Sequence, residues 1–290
     1  MKSTWMIVAG FLFGLMGVFV KLGSHYFSSA ELVFYRSVIG LAVIYAIVRL
    51  QRRSLATPHV ATHVWRGLSG FVALMLFFYA ISVLPLATAI TLNYTSPLFL
   101  ALLLIFVLKD KPHGWLIGAI LIGFAGVVLL LRPNLHSVQL TGGLMGLASG
   151  FFAGIAYFNV KQLGQQGEPE WRVVFYFTLV CTLGAGAWML IHTFHAITWA
   201  SVPILLGLGT TATLAQLAMT RAYRVGKTLV VGSLAYTTVI FASLFGMLLW
   251  GEWLPALSWL GVGLIVLSGI LSVLWTQRAS PIVQVSNTRK

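Results

Sequence analysis

The stretch that decides the fold is Leu86–Lys111, LATAITLNYTSPLFLALLLIFVLKDK. From Leu86 to Leu108 it carries no charge, and that run exceeds the ~20 apolar residues a helix needs to cross a bilayer. Its middle is nonetheless polar, with Asn93, Tyr94, Thr95 and Ser96 ahead of Pro97. Proline has no amide hydrogen, and its ring clashes with the carbonyl four residues back, here that of Asn93. The spacing predicts a membrane-spanning helix kinked at Pro97, with a free carbonyl beside an amide, a phenol and two hydroxyls. Backbone polarity of that kind persists at membrane depth only when buried in protein or lining a wet cavity. The segment reads as the wall of a permeation site, closed by the charged stop Lys109-Asp110-Lys111.

The rest of the chain has the same character. Its 290 residues are 59% hydrophobic and 8% charged, against about 25% charged in a soluble domain. Ten spans follow from the apolar runs: Thr4–Leu22, Ala30–Leu50, Val64–Leu84, Leu86–Leu108, Trp115–Leu131, Thr141–Val160, Trp171–Ile191, Ala200–Tyr223, Thr228–Trp250 and Leu257–Trp275. Prolines mark several junctions, and Pro97 alone falls in mid-span, so the ninth span is expected to run unbroken. Thr4–Leu22 reads as a retained first helix rather than a signal peptide. The net charge of +13 sits between apolar spans, where topology explains it better than nucleic acid does.

With the N-terminus in the cytoplasm, fifteen of the eighteen Lys and Arg residues fall on the inner side, Arg66 among them. Lys21 and Arg132 fall outside and Arg36 lies within a span. This asymmetry puts both termini in the cytoplasm of a multi-pass inner-membrane protein.

The two halves repeat. GFLFG at Gly10–Gly14 with Lys21 beyond it recurs as GFFAG at Gly150–Gly154 with Lys161 at the same spacing. Ala80 onward aligns without gaps to Ala222 onward, which pairs Tyr94 with Tyr236 and Asp110 with Glu252. Gly118 and Gly126 recur as Gly261 and Gly269. Five spans per half is an odd number, so the second half must enter the membrane upside down. The expected fold is all-α and integral to the membrane: ten transmembrane helices as two inverted-topology five-helix repeats, residues 1–137 and 138–276, with a cytoplasmic tail over 277–290. Inverted repeats of this kind build secondary transporters that bind substrate near the midplane.

The run Phe78–Phe99, the Lys109-Asp110-Lys111 stop, the glycine-rich fifth span, Arg221-Ala222-Tyr223 and Trp250–Leu254 resemble the EamA-type repeat of the drug/metabolite transporter superfamily. The resemblance spans Thr4 to about Trp275 and departs at Ser82-Val83, where relatives often carry an aromatic. It implies a central cavity walled by the first four helices of each repeat. It also implies export of amino acids or related carboxylated or amine metabolites, opine-type metal chelators included. Import or facilitated exchange of a nucleoside-like metabolite, of the S-adenosylmethionine or riboflavin kind, is the alternative it leaves open. A passive channel or an integral membrane enzyme is more remote.

Candidate substrate-binding residues are Arg36, Tyr79, Asn93, Tyr94, Tyr157, Tyr176, Gln216 and Tyr236. Arg36 lies about 9 Å into the second span. It could snorkel to the outer interface or meet a substrate carboxylate as a bidentate pair. Tyr94 and Tyr236, at matching depth in the two halves, suit a pocket lined from both sides. Glu31 is the one acid placed for proton coupling, because Asp110, Glu168, Glu170 and Glu252 sit at span ends. The histidine pairs His59/His63 and His192/His195 have no acid or cysteine near them in sequence, so no metal site is expected. Without a GK[ST] glycine loop, ATP drive within this chain is excluded. No catalytic residue and no cofactor are expected. The expected partners are a small-molecule substrate and the lipid bilayer, not nucleic acid, for a monomer or homodimer. Cys181 is the single cysteine, so no intrachain disulfide can form.

Overall fold

The computed structural model describes residues 4–99, 114–131, 137–192, 195–226, 231 and 234–279. The Lys109-Asp110-Lys111 stop and residues 280–290 of the tail lie outside them. Among the described residues there are no strands and ten helices: α1 Trp5–Gly23, α2 Ser29–Leu50, α3 Val60–Val83, α4 Leu86–Asn93, α5 Gly114–Leu131, α6 Ser137–Gln165, α7 Glu170–Leu190, α8 Val202–Val225, α9 Thr237–Trp250 and α10 Ala256–Ala279. Six of them, α1, α2, α3, α6, α7 and α8, are long and apolar enough to cross a membrane. Large apolar side chains point outward, Leu121, Leu183, Ile240 and Leu248 each more than 60% exposed. Water would penalise such a surface; acyl chains would not.

Local chemistry sets the helix ends. Ser28 and Glu31 form a reciprocal capping box that starts α2, satisfying two amides that the first turn leaves free. Gly251 ends α9 in the left-handed region, at φ 63°, and the amides of Gly251 and Glu252 turn back to the carbonyls of Met247 and Gly246. Only glycine adopts that cap at little cost. The turn folds Glu252 back to pair with Lys21 and to accept from the Leu86 amide at the start of α4, at 2.9 Å. One carboxylate therefore ties α1 to the beginning of α4 and the end of α9.

The packing comes in matched pairs. α3 lies along α6 and α1 along α8; α1 also meets α9, and α4 meets α6. α2 packs on α7, α5 on α10, and α4 on α9. Glycines allow the closest of these approaches. Gly10 meets Thr237 and Thr238, Gly150 meets Thr95 and the Leu92 carbonyl, and Gly126 faces Gly261 backbone to backbone.

The helix that opened the reading does break. α4 stops at Asn93, Tyr94 and Thr95 form a turn, and helix resumes at Ser96. Thr95 closes the gap, its amide and hydroxyl both donating to the Leu92 carbonyl at 3.1 and 2.7 Å. The expectation of an unbroken ninth span needs correction: helix is interrupted at Tyr236 as well, and α9 starts only at Thr237. No proline is needed there, because Thr237 donates its hydroxyl to the Leu234 carbonyl and competes with the helix ladder.

Candidate functional site

Between α1, α3, α4, α6, α7, α8 and α9 lies a cavity with a water-accessible volume of about 50 Å³. Its polar lining is Arg66, Asn93, Tyr94, Tyr157, Gln216 and Thr238, set among Phe13, Met16, Leu74, Phe77, Ile90 and Phe177. That volume takes a few waters and is far below the ~300–1,000 Å³ of a ligand-filled cleft.

The broken helices supply its floor. Asn93 donates to Ser149 Oγ at 3.0 Å, and Ser149 in turn donates to the Gly146 carbonyl at 2.6 Å. Tyr94 and Thr238 share a hydroxyl–hydroxyl hydrogen bond of 2.8 Å. Tyr236 donates to the Tyr94 carbonyl at 3.1 Å, its ring 6.0 Å from that of Tyr94. At the end of α4 the Leu92 carbonyl is thus met by Thr95 and the Tyr94 carbonyl by Tyr236 of the other half, as a break at membrane depth requires.

Of the eight residues singled out from sequence, Asn93, Tyr94, Tyr157 and Gln216 border the cavity. Tyr236 is buried beneath Tyr94. Tyr79 is 36% exposed on the outer surface of α3, because the cavity face of that helix runs through Arg66, Gly70, Ala73 and Phe77. Tyr176 is turned toward the α2–α3 connection, its hydroxyl donating to the Leu55 carbonyl at 3.1 Å. Glu31 is buried by its capping role and by His195, whose amide and Nδ1 lie 2.5 and 3.0 Å from the carboxylate. His63 likewise lies 3.4 Å from Glu168. The reading that these histidines have no acid nearby held along the chain and fails across it. Pro97 stands one position into the resumed helix, so the kink precedes it.

Two arginines change most. Arg36 is only 2% exposed, so it does not snorkel; its guanidinium lies 5.5 Å from the Phe177 ring centre. Arg66, assigned from sequence to the cytoplasmic boundary, is also 2% exposed. α3 begins at Val60, which puts Arg66 about 9 Å inside the helix. Its guanidinium sits 3.8 Å over Phe177 and donates to Gln216 Oε1 at 3.2 Å. A methyl on Gly70, one turn along α3, would collide with that guanidinium. Arg66 Nε, Arg36 Nε and Arg36 Nη1 have no hydrogen-bond partner among the described residues. The signal in the sequence was Gly70 four residues beyond Arg66, small on the face the arginine needs.

No described carboxylate neutralises either charge. Glu31 serves Ser28 and His195, Glu168 serves Thr57 and Arg172, Glu170 serves Arg224, and Glu252 serves Lys21 and Leu86. Guanidinium does not deprotonate in proteins, so burying it unpaired costs several kcal/mol. With both guanidinium carbons held near one ring, they are at most 9.3 Å apart. At an effective dielectric constant near 20 their repulsion adds about 2 kcal/mol.

Six helices long and apolar enough to cross a membrane, with a small cavity between matched helix pairs, define the class of multi-pass helical membrane proteins. The EamA-like transporter family model matches residues 2–132 and 140–274, and the chain belongs to that family. It is 31% identical to an uncharacterized transporter of Helicobacter pylori, over 92% of this chain and 93% of the relative. It is 31% identical to the pseudopaline exporter CntI of Pseudomonas aeruginosa, over 91% and 93%. Identity to a riboflavin transporter of Vibrio cholerae is 27%, over 96% and 94%. A crystal structure 19% identical overlays with a TM-score of 0.65, covering 96% of this chain and 98% of that one, a likeness of fold alone.

Proposed function

We propose that this chain is a secondary-active carrier working by alternating access, and that it exports amino acids or related carboxylated metabolites through the cavity at Arg66. The observation that carries this reading is Arg66 itself: a permanently charged guanidinium, buried, bordering the cavity and facing no described acid. A carboxylate entering the chamber supplies the missing counter-charge as a forked pair. Asn93, Tyr94, Gln216 and Thr238 then hold the remaining polar atoms. Arg36, Tyr236 and the break near Pro97 support that wall from behind.

The two repeats, 1–137 and 138–276, are read as inverted copies with both termini in the cytoplasm. The helix pairings support this, since exchanging each helix for the one five places on maps α3/α6 onto α8/α1 and α4/α6 onto α9/α1. A pseudo-twofold of that kind lets one half rock against the other around a fixed site. Export follows the pseudopaline exporter among the relatives. The chain is read as a carrier with no chemistry of its own, and neither cofactor nor metal enters the cycle.

The test is flux in proteoliposomes against a panel of amino acids and carboxylated metabolites. The expected result is saturable, competed transport that Arg66→Ala abolishes and Arg66→Lys restores only in part, because an ammonium lacks the fork. Full transport by Arg66→Ala would end the reading. A second reading is uptake or exchange of a flat nucleoside-like solute. The aromatic lining of Phe13, Phe77, Tyr94, Tyr157 and Phe177 favours it, as do the riboflavin transporter above and an S-adenosylmethionine uptake transporter of Rickettsia bellii, 22% identical. Riboflavin flux that survives Arg66→Ala would select it.

A further inference from the structure

We propose that the substrate carries two carboxylates, one taken by Arg66 and the other by Arg36, with Phe177 as the movable partition between them. The inference rests on the carboxylate reading of the cavity and deepens it. Arg66 borders the chamber, whereas Arg36 does not; yet both guanidiniums lie against the same Phe177 ring, at 3.8 and 5.5 Å from its centre. Both are 98% buried, and three of their nitrogens have no hydrogen-bond partner among the described residues. The described side chains beside them are Gln216, Phe177, Cys181 and Tyr157. An amide and a ring are neutral, and a thiol and a phenol ordinarily ionise above neutral pH, so none of the four supplies an anion.

One carboxylate would therefore leave a second buried cation uncompensated. A diacid satisfies both. The guanidinium carbons are no more than 9.3 Å apart, a gap that two carboxylates joined by roughly two to four carbons bridge when each sits at hydrogen-bond distance from its arginine. Phe177 lines the chamber and is also the ring against Arg36, which does not line it; turning this one side chain is the step that would admit the second carboxylate. Both arginines belong to the first half and are presented to α7 and α8 of the second. A diacid thus draws the two halves together, which couples binding to closure.

The experiment compares glutarate with its monoamide, glutaramate, and L-glutamate with L-glutamine, as ligands that stabilise the purified full chain against heat. Each diacid matches its monoamide in shape and differs by one charge. The expected result is an apparent affinity about tenfold higher for the diacid, the effect of one charge-assisted hydrogen-bond pair. Arg36→Gln is expected to bring that ratio close to one by weakening the diacid about tenfold more than the monoamide; Arg66→Gln is expected to lose both. Size-exclusion profiles confirm that each variant is folded, and Arg36→Lys provides a second variant expected to keep part of the preference. Equal binding of diacid and monoamide by the wild type, or a ratio unchanged in Arg36→Gln, would overturn the two-arginine site and leave the carboxylate cavity standing. Absence of stabilisation by all four compounds would bring down the cavity reading and this one together.

Discussion

Two glycines from one repeated motif show how much a single residue depends on its neighbours. Around Gly118 there is open space, while a methyl placed on Gly269 would overlap the Tyr236 hydroxyl. Tyr236 is fixed by its hydrogen bond to the Tyr94 carbonyl at the helix break, so it cannot retreat without opening the floor of the chamber. Gly269→Ala is expected to destabilise the protein by about 1–3 kcal/mol through overpacking, seen as a lower midpoint in a thermal melt. Gly118→Ala is expected to be neutral or stabilising by up to about 1 kcal/mol, since alanine is the better helix former. The sequence puts the two in copies of the same glycine motif, where Gly118 answers to Gly261 and Gly269 to Gly126, and gives no sign of this difference. Arg66 makes the same point: its neighbours along the chain suggest a helix end, and only the true start at Val60 sinks it into the membrane.

Among the elements, the connection between α2 and α3 is pinned to the start of α7 by one carboxylate. Glu168 accepts from Thr57 at 2.5 Å and from Arg172 at 3.0 Å, while Arg172 also holds the Ser54 carbonyl at 2.8 Å. Burial opposes the charge, but these hydrogen bonds and the Arg172 guanidinium prevail and hold the Glu168 carboxyl below the usual carboxylate range. A group with a depressed folded value stabilises the fold above its unfolded pKa, near 4.3, and that stabilisation is lost as pH falls through the folded value. Thermal melts of the wild type between about pH 6 and 3 are expected to show this loss. Glu168→Gln is expected to melt lower at neutral pH with a flatter acid limb. A variant as acid-sensitive as the wild type would place the effect elsewhere. Glu168 was legible as an acid at a span end with Arg172 four residues on; its partner Thr57, more than a hundred residues earlier, was not.

For the molecule as a whole, the proposal with the widest consequence is that two similar halves are oppositely oriented. Reporter fusions test it directly. A fluorescent protein joined after residue 279 is expected to fluoresce and alkaline phosphatase there to be inactive, marking the cytoplasm. Phosphatase inserted in the α7–α8 connection, near Ile197, is expected to be active. The same sign at both places would leave an even number of crossings between them and break the inverted arrangement. The helix pairings are those such a geometry predicts, because oppositely inserted copies exchange under a twofold axis in the membrane plane.

The apolar spans, the polar interruption at Asn93–Ser96, the internal repeat and the family all follow from the order of residues. Transfer into a bilayer sums over a local run of side chains, and a proline or a threonine acts within one helical turn. Four of the eight site candidates also reach the cavity, because polar residues in mid-span have few other places to go. Tertiary packing alone decided which face of α3 looks inward, that Arg36 is buried rather than snorkelled, and that both arginines close on Phe177. The face a helix presents is set by the shapes of its neighbours, and those neighbours are distant in the chain.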